Sequence, residues 1–84
     1  MGTKIPAVGK LAKVYWTDVV GYTNVAASTA KPAKAITIGY IHKDASDYIV
    51  IATSYFTDKV LTEDEREGDF TAMPKGLIDK IEVI

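Results

Sequence analysis

The sequence predicts an all-β fold, a small and strongly bent five-stranded barrel. Three observations point there. The segments with a readable apolar pattern either alternate with period two or are β-branched and aromatic almost throughout. Clusters of Gly, Pro, Asn, Asp and Ser separate them. No stretch reads as a long helix. The 84 residues suit one domain, residues 1–84, with residues 1–10 as a flexible arm and residues 58–68 as an acidic hairpin tip.

Taken in order, the arm MGTKIPAVGK has no period and no apolar core of a leader segment. Lys10 to Trp16 (KLAKVYW) reads as the first strand. A long loop follows, GYTNVAASTAKP, whose AAS-TA core suits one helical turn before Pro32. Lys34 to His42 (KAITIGYIH) alternates. Ile36, Ile38 and Tyr40 share one face, and Ala35, Thr37, Gly39 and Ile41 the other. The larger side chains place the first set inward, and Gly39 marks a bulge or sharp bend. KDASD is a turn.

Tyr48 to Thr57 (YIVIATSYFT) is the strongest strand, and its first half is apolar on both faces. In the acidic tip, Thr62 and Glu65 have capping-box spacing. Asp69 to Met73 is a short strand. Pro74-Lys75-Gly76 is a break too short for a parallel crossover and suited to one 3₁₀ turn. Leu77 to Ile84 is the last strand. The expected core is Trp16, Ile36, Ile38, Ile49, Ile51, Phe70, Ile78 and Ile81.

Composition narrows the chemistry. There is no cysteine, so neither a disulfide framework nor a cysteine-based metal site is available. One histidine, His42, cannot build a His-rich metal site. Ser28 and Ser54 lack a placed histidine partner, and no Gly-rich phosphate loop is present. The expectation is a non-enzyme without metal or cofactor. No run approaches the length of a membrane span, which suits a cytoplasmic protein. The net charge of −1 hides an asymmetry: residues 1–43 carry +5 and residues 44–84 carry −6. Either the charges scatter over a mixed surface, or they form a basic face and an acidic face, or complementary edges of neighbouring subunits.

Several groupings compete as sites. Tyr48 with Lys75 offers a base-stacking ring and a phosphate-binding ammonium. Trp16, Tyr15 and Tyr22 near Lys10 and Lys13 offer a stacking platform, against a core role for Trp16. His42 with Asp44 and Asp47 offers a metal site or an acid–base pair, but their close spacing at a hairpin turn is better explained by turn chemistry. Glu63, Asp64, Glu65 and Glu67 lack the spacing of a calcium loop and read as a solvated tip.

Two segments carry a family resemblance. Gly39 to Ala52 (GYIHKDASDYIVIA) has a Gly in a bent second strand, a polar turn, and an aromatic opening an apolar third strand. Ala72 to Ile81 (AMPKGLIDKI) has a fourth strand, a Lys-containing turn and an apolar fifth strand. Together they resemble the Sm-like (LSm/Hfq-like) small barrels. Trp16–Asp18, Gly39–Tyr40 and Pro74–Ile78 also match the outline of phage-encoded Sm-like proteins of unknown function. The resemblance implies an SH3-like/Sm-like barrel and a homo-oligomeric ring of about five to seven subunits closed head to tail. Its interface residues would be Asp69, Phe70, Thr71, Ala72, Met73, Ile81 and Val83. Tyr48 and Lys75 match two positions of a nucleotide pocket for single-stranded RNA or DNA. Gly76 stands where that pocket has a histidine, and Asp47 where it has a neutral amide. The alternative is a structural or assembly protein that binds a protein partner and no nucleic acid. With a pI near 5.7 the chain lacks the basic excess of a strong nucleic-acid binder.

Overall fold

The computed structural model describes residues 4–57 and 62–84. Five antiparallel strands form one sheet: β1 (Leu11–Asp18), β2 (Ala33–Asp44), β3 (Tyr48–Tyr55), β4 (Gly68–Pro74) and β5 (Ile78–Val83). The all-β class and the strand count follow the sequence reading. The strand order is β4-β3-β2-β1-β5, so β4 and β5 are the two edges.

Short 3₁₀ turns supply the remaining regular structure among the described residues. Ala27–Thr29 is the helical turn expected within the long loop, and Lys75–Leu77 is the turn expected after Pro74. Glu63–Glu65 forms a third turn. It is not a capping box: the Thr62 hydroxyl donates to the Glu65 carboxylate at 2.9 Å, and no side chain caps the turn's backbone. The remainder of the expected acidic tip, residues 58–61, lies outside the described residues. Residues 4–10, the expected arm, touch the sheet. Ile5 packs against the core, the Gly9 N–H donates to the Ile41 carbonyl at 2.8 Å, and the Ile41 N–H donates to Lys10 at 2.9 Å.

The core lies on one face of the sheet. Val14, Ile41, Ile49 and Ile51 are fully buried, with Ala12, Met73 and Ile78 beside them and Trp16 and Ile81 packed against the cluster. Phe70 is half-buried, its ring 4.8 Å from that of His42. The expected phase of β2 is wrong. Ile36 and Ile38 are 54% and 51% exposed, and the inward face is Ala35, Thr37, Gly39 and Ile41. The cause is the bulk of Trp16 on β1. It pairs with Ala35, and its indole N–H donates to the Thr37 hydroxyl at 3.0 Å. Small residues on β2 leave room for that indole.

Gly39 has a related constraint from the other side. A Cβ there would sit 2.6 Å from both the Ala52 carbonyl oxygen and the Ile51 Cγ2. The irregularity expected at Gly39 falls further on, where β2 shifts register against β3 between Ile41 and Lys43. The extra residue, His42, changes which face the end of β2 presents.

Candidate functional site

The end of β2, the start of β3 and the turn after β4 meet at one end of the sheet. Tyr48 opens β3 and pairs with Pro74, the last residue of β4. The Lys75 N–H donates to the Asp47 carbonyl at 2.9 Å. These contacts hold Tyr48 and Lys75, 27 positions apart by their numbers, at the same place. The antiparallel β3–β4 ladder makes this unavoidable, because a strand's first residue faces its partner's last.

The electrostatics were not visible in the motif. The Lys75 ammonium contacts the Asp44 carboxylate at 2.7 Å, with the two side chains 32% and 38% exposed. An ion pair this open contributes about 0–1 kcal/mol. Lys43 approaches the Tyr48 ring, its ammonium 5.8 Å from the centroid. The site therefore sets two lysines, Lys43 and Lys75, beside two aspartates, Asp44 and Asp47. An incoming phosphate meets Lys75 only by competing with Asp44. A Cβ at Gly76 would meet no atom within 4 Å, so the turn leaves open space there. Sequence reasoning missed Asp44 and Lys43 as members of this site. The available signal was the KDASD turn itself, which brings them beside the start of β3.

A second polar cluster lies across β1 and β5 on the face away from the core. The Tyr15 ring has the Lys80 ammonium 4.6 Å and the Lys13 ammonium 5.4 Å from its centroid. Lys80 contacts Glu82 at 3.0 Å. That hydrogen bond, helped by one from Tyr15, holds the Glu82 carboxyl below the usual carboxylate range, and Glu82 in turn raises Lys80. At the start of β5 the Thr17 hydroxyl donates to Asp79 at 2.7 Å, and Lys34 donates to Thr17 at 2.8 Å. The Thr17 bond, then Lys34, keeps the Asp79 carboxyl low. Tyr15, Lys34, Ile36, Asp79 and Lys80 line an open groove here.

The other groupings separate. Tyr15 and Trp16 are consecutive on β1 and face opposite ways, while Tyr22 lies in the long loop with its hydroxyl on the Lys31 carbonyl at 3.1 Å. The three do not form one platform. Among the described residues no three His, Cys, Asp or Glu side chains converge as a metal site. Among the described residues no helix is long and apolar enough to cross a membrane.

The residues expected at an oligomer interface divide between the two edges. Asp69 to Met73 lie on β4, and Ile81 and Val83 on β5. Their side chains differ. Met73 is buried in the core, Phe70 packs on His42, and Val83 is 56% exposed. No known protein family, curated protein or solved structure matches the chain.

Proposed function

We propose that this chain is an Sm-like, non-catalytic protein that assembles head to tail into a ring and contacts single-stranded RNA or DNA at the Tyr48–Lys75 end. The observation that carries this reading is the strand order. It leaves β4 and β5 as free edges on opposite sides of one sheet. A free edge presents unpaired backbone donors and acceptors and invites another strand. Two different edges on one subunit make a heterologous contact, which closes into a ring when the rotation allows. In such an assembly each subunit brings its Tyr48–Lys75 end to an equivalent position, and repeated weak contacts add along a strand. A cytoplasmic location fits this reading.

A second reading has its own support. The Lys75–Asp44 contact and the nearby Asp47 leave the site without net positive charge, and the whole chain carries −1. On that reading the same assembly serves a protein partner and binds no nucleic acid.

Two measurements decide. Sedimentation or light scattering at micromolar concentration should give a mass of several subunits. A strict 9.1 kDa monomer overturns the ring. Fluorescence anisotropy with oligo(U), oligo(A) and single-stranded DNA at low salt should show binding that Tyr48→Ala weakens by about 1–3 kcal/mol. An assembled protein that binds none of the three supports the second reading.

A further inference from the structure

We infer that two copies of the chain pair through the first half of β2: their Ala33–Gly39 edges lie antiparallel about a two-fold axis at Ile36 and join two sheets into one. The contact uses neither β4 nor β5 and does not depend on the ring proposed above.

The sheet is split at this place. β2 pairs with β1 from Ala33 to Tyr40, but with β3 only from Tyr40 onward, where Tyr40 meets Ala52. Past Ala52, Ser54 and Tyr55 pair with β4. Among the described residues no strand lies against Ala33–Gly39 on the side away from β1. The polarity of this edge follows from Ile41. Its N–H donates to the Lys10 carbonyl at 2.9 Å and its carbonyl accepts from Gly9 at 2.8 Å, both on the β1 side. Successive residues of a strand turn their backbone groups to alternate sides, so Lys34, Ile36 and Ile38 turn theirs to the open side. Such an edge is a template for another strand.

The edge is complementary to itself. Ile36 is the midpoint of Ala33–Gly39. An antiparallel second copy therefore sets Ile36 against Ile36 and Lys34 against Ile38, all residues whose backbone groups face the contact. The pairing has natural ends. Pro32 has no N–H to donate, and Tyr40 is already engaged with Ala52. Apolar surface is covered on both faces. On the outer face Tyr15 and Ile36 lie side by side across β1 and β2, and the axis joins that pair to its copy. On the core face the second copy closes over the open side of Trp16, which is half-buried beside Ala35 and Thr37.

Charge does not oppose the approach. Lys34 is held 3.5 Å from Asp79 of its own copy, and Lys80 3.0 Å from Glu82. The Lys34 stem can lie along Ile38 of the other copy while its ammonium stays with Asp79. There is also surface to cover. The chain exposes 6060 Å², against about 4,900 Å² for a compact monomer of its 9.1 kDa mass. The surplus of about 1,200 Å² exceeds the roughly 800 Å² that each partner gives to a standard interface.

A residue on a two-fold axis meets itself, and this gives the test. Ile36 is exposed, so the fold should accept a charge there. Ile36→Glu and Ile36→Lys should each halve the mass found by sedimentation at micromolar concentration, because like charges then face one another. A one-to-one mixture of the two variants should restore the wild-type mass. The emission of Trp16, the single tryptophan, should shift to the red in each variant and return in the mixture. The halving reads this contact whatever the ring does: a doubled ring falls to one ring, or a pair falls to a 9.1 kDa monomer. The second result supports the inference and overturns the ring. An unchanged mass in both variants, or no recovery in the mixture, overturns the inference and leaves the edge to a strand of a different protein. A monomeric wild type overturns both. The chain has no cysteine, so Ile36→Cys treated with a short bis-maleimide should give a covalent pair, and Ser28→Cys in the exposed loop should not. No pair from Ile36→Cys, or equal yields from the two positions, also overturns the inference.

Discussion

Replacing Ile51 and Ile38 separately by alanine tests which face of the sheet is the core. Ile51 on β3 is fully buried, and Ile38 on β2 is 51% exposed. Each substitution removes three carbon groups. At about 0.8 kcal/mol per buried group, the transfer part for Ile51 is about 2.4 kcal/mol. The cavity left in a packed site raises the loss toward the range of about 2–5 kcal/mol. Ile38 keeps about half its surface in water, so the same arithmetic gives about 1.2 kcal/mol as an upper figure. Urea unfolding, followed at one fixed protein concentration because self-association shifts apparent stability, measures both. The loss for Ile51→Ala should be at least twice that for Ile38→Ala. Equal losses, or a larger one at Ile38, would refute the facing of β2 and the account of Trp16 that explains it.

Two further outcomes follow from local contacts. Asp79 and Glu82 have folded-state carboxyls held below the usual range, so their contribution is present at neutral pH and fades as pH falls through those lowered values. Asp79→Asn and Glu82→Gln should each make the urea midpoint fall less between about pH 7 and about pH 2, with the difference from wild type vanishing at the acid end. Both carboxylates are on the surface, so the effects should be small. Gly39→Ala should cost about 1–3 kcal/mol in the same assay through crowding against Ala52 and Ile51, whereas Gly76→Ala, into open space, should stay within about 0.5 kcal/mol.

The sequence disclosed the strands more readily than their facing. β3 was legible because YIVIA is apolar on both faces, and residues 48–52 are buried or half-buried. β2 misled because its large apolar residues, Ile36 and Ile38, mark the outward face. Alternation gives two faces but does not say which one a neighbouring indole needs empty. The 3₁₀ turn was legible because three residues between strands leave the chain few ways to return, whereas the Tyr48–Lys75 pairing came from the family outline and is made by the β3–β4 ladder. The hold of Asp44 on Lys75 was hidden by the extra residue at His42, which changes the side that β2 presents and which no single-sequence pattern marks. Edge positions for β4 and β5 came from the family outline and not from periodicity, since a strand's alternation carries nothing about its neighbours.

The close approach at Gly39 has a consequence for which folded states the chain can reach. β2 has apolar side chains on both faces, so burial by itself would nearly accept a sheet in which this strand slides by one residue and turns Ile36 and Ile38 inward. That slide carries Ile38 or Tyr40 to the spot where the Ala52 carbonyl now stands against a residue with no Cβ. Neither fits. Gly39 has no side chain to bury, yet it excludes the misaligned sheet that the hydrophobic pattern leaves open. Its replacement should therefore broaden the native ensemble as well as weaken it, and the broadening should appear as additional amide resonances from β2 and β3.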